Sequence, residues 1–177
     1  MKRFYTFIFL SILMFSANVQ AEIISGGISY DANSAREELL DGISYTTDST
    51  YINNAFYDKD YEQNSAYILK GITSLKDRKL AYFSDGSYAV LNYSDMKHVY
   101  YYASSGILMY IENRSGNSYP YKCYKYNTQK KLVNMSLRVS ESETFIYNPA
   151  GELVAHWVKD KAYDKDGNVI MKRKYVE

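Results

Sequence analysis

The chain has 177 residues, enough for one domain with its own core. Its 21 basic and 20 acidic residues leave no charge excess for gripping nucleic acid or an anionic membrane. A single cysteine excludes an intramolecular disulfide, so the fold must be held by its core alone.

The first segment reads as an export signal. Met1-Lys2-Arg3 is basic, Phe4 to Phe15 is almost unbroken apolar sequence, and Ser16 to Ala21 turns small and polar. This predicts a signal peptide over residues 1–21, cleaved before Glu22, and a periplasmic, cell-surface or secreted location. The apolar run is shorter than the roughly twenty residues a membrane span needs. No cysteine follows it to take a lipid, so no stable membrane anchor is expected after cleavage.

Residues 22–79 read as a helix followed by an irregular α+β segment that packs on a sheet. Ser34-Ala35-Arg36-Glu37 has the form of a capping box with Ser34 as N-cap, and Ala35, Leu39 and Leu40 lie close to one face. A short helix over 35–41 follows, with Gly42 where a terminating glycine belongs. Thr46 to Thr50 suggests a turn, and Tyr67-Ile68-Leu69 is an apolar run compatible with strand or helix.

Residues 80–177 form the more regular part. Apolar runs at Leu80 to Phe83, Tyr88 to Tyr93, Val99 to Tyr102, Ile107 to Ile111, Tyr121 to Tyr126 and Leu132 to Leu137 alternate with turn sequences. So do Phe145 to Tyr147, Leu153 to Val158, Lys161 to Tyr163 and Val169 to Tyr175. Ten short strands in five hairpins are the expectation. Within them Tyr121, Cys123 and Lys125 face one way, and Lys122, Tyr124 and Tyr126 the other. The predicted class is mainly β with α+β character at the N-terminus: an antiparallel hairpin-repeat meander with one short N-terminal helix.

A template organises the hairpins: aromatic, Asp or Asn, two free positions, Gly, one free position, aliphatic. Tyr147-Asn148-Pro149-Ala150-Gly151-Glu152-Leu153 and Tyr163-Asp164-Lys165-Asp166-Gly167-Asn168-Val169 fit it. Tyr102 to Leu108 fits loosely, and Tyr126 to Leu132 carries Lys130 at the glycine position. Glycine supplies a positive φ there, so Lys130 implies a different turn or about 1 kcal/mol of strain. The template tyrosines are separated by 24, 21 and 16 residues, an internal repeat. The pattern resembles the tyrosine–aspartate (YD) repeats of Rhs-type bacterial surface proteins and, more loosely, MORN-type hairpin repeats. That resemblance covers about residues 80 to 175. It implies a repeat-hairpin sheet in an envelope setting and brings no catalytic residues with it.

Tyrosine is the compositional outlier, with 21 copies against seven Phe and one Trp. Tyrosine packs its ring while keeping its hydroxyl wet, which predicts half-exposed sheet faces rather than a dry interior. Tyr100, Tyr102, Tyr110, Tyr121, His156 and Trp157 are the candidate binding residues. Flat rings with polar rims suit sugars or protein hot spots, whereas cross-strand packing alone would give them a purely structural role.

Chemistry is harder to find. His98 and His156 lie in no catalytic motif, and Cys123 reads as a small packing residue. Asp164 to Asn168 has its glycine too early for a calcium loop. Asn92, Asn113 and Asn134 begin N-glycosylation acceptors, which matter only in a eukaryotic host.

No catalytic residue, cofactor or metal is expected. The expected role is an exported, non-catalytic binding or structural module of the cell envelope, working through a tyrosine-rich sheet face. Its partner would be an envelope protein or polysaccharide, not nucleic acid, and unprotected strand edges leave self-association open. An immunity-like accessory of a toxin or secretion system is the alternative. A cell-wall glycan enzyme would need two acids converging in a cleft.

Overall fold

Ten strands follow one another across a single antiparallel sheet in chain order, each paired with its sequence neighbours. The computed structural model describes residues 30–41 and 57–173. The signal segment, Gly42, the Thr46 to Thr50 turn and the continuation of the last strand past Arg173 lie outside the described residues. The strands are β1 (Arg78–Tyr82), β2 (Tyr88–Asn92), β3 (His98–Tyr102), β4 (Leu108–Arg114) and β5 (Tyr121–Asn127). They continue as β6 (Leu132–Arg138), β7 (Glu143–Tyr147), β8 (Leu153–Val158), β9 (Lys161–Tyr163) and β10 (Val169–Lys172). The hairpin-repeat meander read from the sequence is therefore the observed fold.

The turns show why the template repeats. At Gly86, Gly106, Lys130, Gly151 and Gly167 φ lies between 64° and 82°. In each case this residue donates its N–H to the carbonyl three residues back, and that earlier residue bonds the one after the positive-φ position. Asn127, Asn148 and Asp164 then close the loop by side chain: Asn148 Oδ1 accepts from Ala150 N at 2.9 Å and Glu152 N at 3.0 Å. Asn127 and Asp164 accept in the same way from the residues two and four ahead. Phe83-Ser84-Asp85-Gly86-Ser87 is a further copy that the tyrosine template did not include.

Lys130 adopts the glycine conformation with φ 64° rather than another turn type. Lys130→Gly is accordingly expected to raise stability by about 0.5 kcal/mol, the relieved strain being partly offset by glycine's freer unfolded chain. A small rise in the thermal midpoint would show it, and a fall would mean that the strain is not there.

Helix α1 (Ala32–Asp41) starts three residues earlier than the sequence predicts. Asp31, not Ser34, is the cap: its Oδ1 accepts from Asn33 N at 2.9 Å and Ser34 N at 2.8 Å. The Ser34 hydroxyl accepts in return from Asp31 N at 2.9 Å. The box is Asp31 with Ser34, because that pair satisfies three N–H groups where a Ser34–Glu37 box would satisfy two. A second helix, α2 (Tyr61–Leu69), occupies the segment expected to be irregular and settles Tyr67 to Leu69 as helical.

Both helices lie on one side of the sheet. Helix α1 packs on β6 and β7, and α2 on β1. Ala35 and Leu39, both fully buried, join Leu80, Val90, Leu108, Ile111, Met135, Leu137 and Phe145 in one core. Gly106 lets α2 approach the turns, since a Cβ there would stand 2.7 Å from the Tyr61 ring.

Part of the tyrosine serves this core, beyond the half-exposed sheet faces that Tyr82, Tyr100, Tyr101, Tyr110 and Tyr163, all half-buried, provide as expected. Tyr88, Tyr124 and Tyr147 are each 1 % exposed. Their hydroxyls reach past the sheet to fixed acceptors: Tyr124 to Leu39 O at 2.8 Å, Tyr88 to Asp58 Oδ2 at 2.7 Å, and Tyr147 to Ala32 O. The ring fills the layer between sheet and helix, and the hydroxyl ties off a backbone or carboxylate oxygen. Phenylalanine would fill the same space without these bonds, though Asp58 Oδ2 would keep its second donor, Asn64 Nδ2 at 2.9 Å.

Candidate functional site

The opposite face of the sheet carries no helix among the described residues, and its side chains differ in kind. Antiparallel partners share a face, so the register assigns it. Tyr101 lies opposite Tyr110, Glu112 opposite Lys125, Arg114 opposite Cys123, Tyr121 opposite Arg138, and Thr144 opposite Trp157. The helix-free face is thus a band of charge and aromatic rings running from β3 to β8.

Glu112 is its centre. Only 4 % exposed, it accepts a hydrogen bond from the Tyr101 hydroxyl at 3.0 Å and sits 3.9 Å from the Arg138 guanidinium. Burial alone would raise its pKa. The charges of Arg138 and Lys125, with the Tyr101 and Cys123 hydrogen bonds, outweigh it and hold the carboxyl below its usual range. Glu112 is therefore an anion at neutral pH, not a proton donor.

Three cations lie flat over rings on this face. Lys125 Nζ stands 3.6 Å from the Tyr101 centroid, the Arg114 guanidinium 4.4 Å from that of Tyr121, and the Arg173 guanidinium 5.0 Å from that of Trp157. Arg114, Lys125 and Arg173 are all half-buried, and the ring beneath each holds its direction. Burial lowers the Lys125 pKa, with Glu112 acting against the fall. Cys123, 1 % exposed, has its thiol pushed up to about 12, by burial first and by Glu112 second. At neutral pH it is therefore a neutral thiol.

The strands of this face carry one carboxylate, Glu112, against Arg114, Lys125 and Arg138, with Arg173 beside them over Trp157. A paired-acid hydrolysis has no second acid here. What the arrangement can do is present directed cations and rings to an anionic surface.

Strand alternation divides the six residues read from the sequence. Tyr110, Tyr121 and Trp157 lie on the helix-free face; Tyr100, Tyr102 and His156 lie on the helix side. Tyr102 is 7 % exposed and stacks on Tyr88 with ring centres 5.3 Å apart. His156 stacks on Phe145 at 4.0 Å, and its Nε2 lies 2.9 Å from Glu143 Oε1. Tyr100 hydroxyl donates to Asp95 Oδ2 at 3.2 Å. These three are committed to the fold's own contacts.

Glu112, Lys125 and Arg138 escaped the sequence reading, which sought rings rather than charges. The usable signal was the alternation that places Tyr121, Cys123 and Lys125 together. Set against models of protein families, against curated proteins and against solved structures, the chain matches none of them.

Proposed function

We propose that this protein is an exported, non-catalytic binding module of the cell envelope, holding an anionic partner on the helix-free face of its sheet. One observation carries the reading: Arg114, Lys125 and Arg173 are each stacked on a tyrosine or tryptophan of a single face, where they outnumber its one acid. Arg, Tyr and Trp are the side chains that dominate binding energy at interfaces, and pre-stacked cations lose less freedom on docking. The export setting rests on the basic, apolar and small-residue order of residues 1–21. The near-neutral whole chain hides this charge, because the sign is segregated by face rather than by composition.

The test is retention of envelope proteins and of acidic polysaccharide by the purified protein, beside an Arg114→Ala, Trp157→Ala double variant of matched circular dichroism. Retention should fall at least about tenfold in the variant and decline with salt. The retained fraction names the partner as protein or glycan. Equal retention by both proteins would remove the helix-free face from the function.

A further inference from the structure

The two outer edges of the sheet are finished differently. At β1 the chain folds back over its own edge: Leu80 N donates to Thr73 O at 2.7 Å, and Leu75 N donates to Arg78 O at 2.8 Å. A bridge between Ser74 and Lys79 completes this short overlay. At β10 the only strand neighbour among the described residues is the three-residue β9. All four residues of β10 are exposed, with Val169 at 46 %, Ile170 at 50 % and Met171 at 58 %. Among the described residues β10 is thus an apolar edge strand, with a register shift between Val169 and Met171, and an apolar edge strand with no further partner is a template for another strand.

We infer that β10 pairs antiparallel with β10 of a second copy, joining two sheets about a two-fold axis. Charge favours this occupant. Pairing centred on Ile170 sets Lys172 of each copy opposite Asn168 of the other. Asn168 Nδ2 lies 3.1 Å from Asp164 Oδ2, so the incoming lysine arrives beside a carboxylate at both ends of the pairing. A parallel pairing would instead bring the two Lys172 side chains alongside one another, like charges on neighbouring strands. Both surfaces of the four-residue strand are apolar at their middle, so Ile170 and Met171 leave water in the dimer. The overlay on β1 stops the process there: with one edge closed and one open among the described residues, the contact is isologous and ends at two copies. This inference does not depend on the helix-free face, and loss of partner binding there would leave it standing.

Sedimentation of the purified full chain as a function of concentration tests it, with Ile170→Pro and Lys172→Glu compared with the wild type. The wild type should reach a dimer and no larger species. Ile170→Pro puts a residue without an N–H at the centre of the pairing and should abolish the dimer. Lys172→Glu should weaken it on the order of tenfold, through two symmetry-related contacts. Thermal melts report whether each variant folds; if Ile170→Pro does not, Lys172→Glu decides alone. A monomeric wild type, an open-ended series of oligomers, or a dimer indifferent to the folded variants would each overturn the inference.

Discussion

Glu112→Gln is expected to lower the unfolding free energy by about 2 kcal/mol at neutral pH. Breaking a buried ion pair from one side typically costs about 3–5 kcal/mol, and the figure is reduced here because the Arg138 side chain keeps contact with water. The Arg138 side chain is 33 % exposed where that of Glu112 is 5 %. The removed charge leaves Arg138 and Lys125, on neighbouring strands, without the anion on which both charges act.

The pH dependence has a definite sign. Glu112 is held below its ordinary value in the fold, so its contribution is fully present above the unfolded pKa, about 4.3. It is lost as pH falls from there through the lower folded value. Urea unfolding at neutral pH and at successively lower pH should show wild type and Glu112→Gln converging as the acid limb is entered. A gap that stays constant to low pH would mean that packing, not charge, holds the cluster.

The second large effect is at Tyr124. Tyr124→Ala is expected to cost about 4 kcal/mol, the range for emptying a buried aromatic site. The ring is 1 % exposed and lies between β5 and α1. Tyr124→Phe keeps the ring and removes only the bond to Leu39 O, so about 1 kcal/mol is expected globally. The two variants should also differ in kind. Amide exchange in α1 should quicken in Tyr124→Phe more than exchange in β5 and β6, because the hydroxyl serves the helix. Uniform quickening would place the hydroxyl's role in the sheet instead.

The strands were legible because each is a short β-favouring run closed by a turn whose residues are dictated by backbone geometry. Gly106, Gly151 and Gly167 mark positive φ, and Asn148 and Asp164 mark the side-chain closure, whatever packs around them. The helices were less legible because their limits depend on tertiary choice. Ser34 is a sound cap residue, but Asp31 lies one turn earlier and wins. The apolar residues of α2 do not form a clean stripe, since Tyr61 is spent on the Gly106 turn and its hydroxyl on Ser104 O at 2.9 Å.

The site was half legible. Tyr121 and Trp157 could be found by ring type, but telling Tyr101 from Tyr100 and Tyr102 needs the register. Three consecutive tyrosines offer no alternation to read, and only the pairing of Tyr101 with Tyr110 puts it with Glu112. Buried tyrosine misled for a related reason: composition cannot say whether a hydroxyl meets water or the carbonyl of Leu39.

A sheet whose every strand pairs only with its sequence neighbours has a low contact order. Each hairpin can close over a short loop, and the next can add to it without a long search of the chain. The longest exceptions are the ties from α1, where Tyr124 reaches Leu39 across 85 residues and Tyr147 reaches Ala32 across 115. Assembly therefore divides into a quick zippering of neighbouring hairpins and a slower capture of α1 from a distance. During that interval the apolar side of β6 and β7 is complete but uncovered, and it is the surface that a chaperone would have to shield.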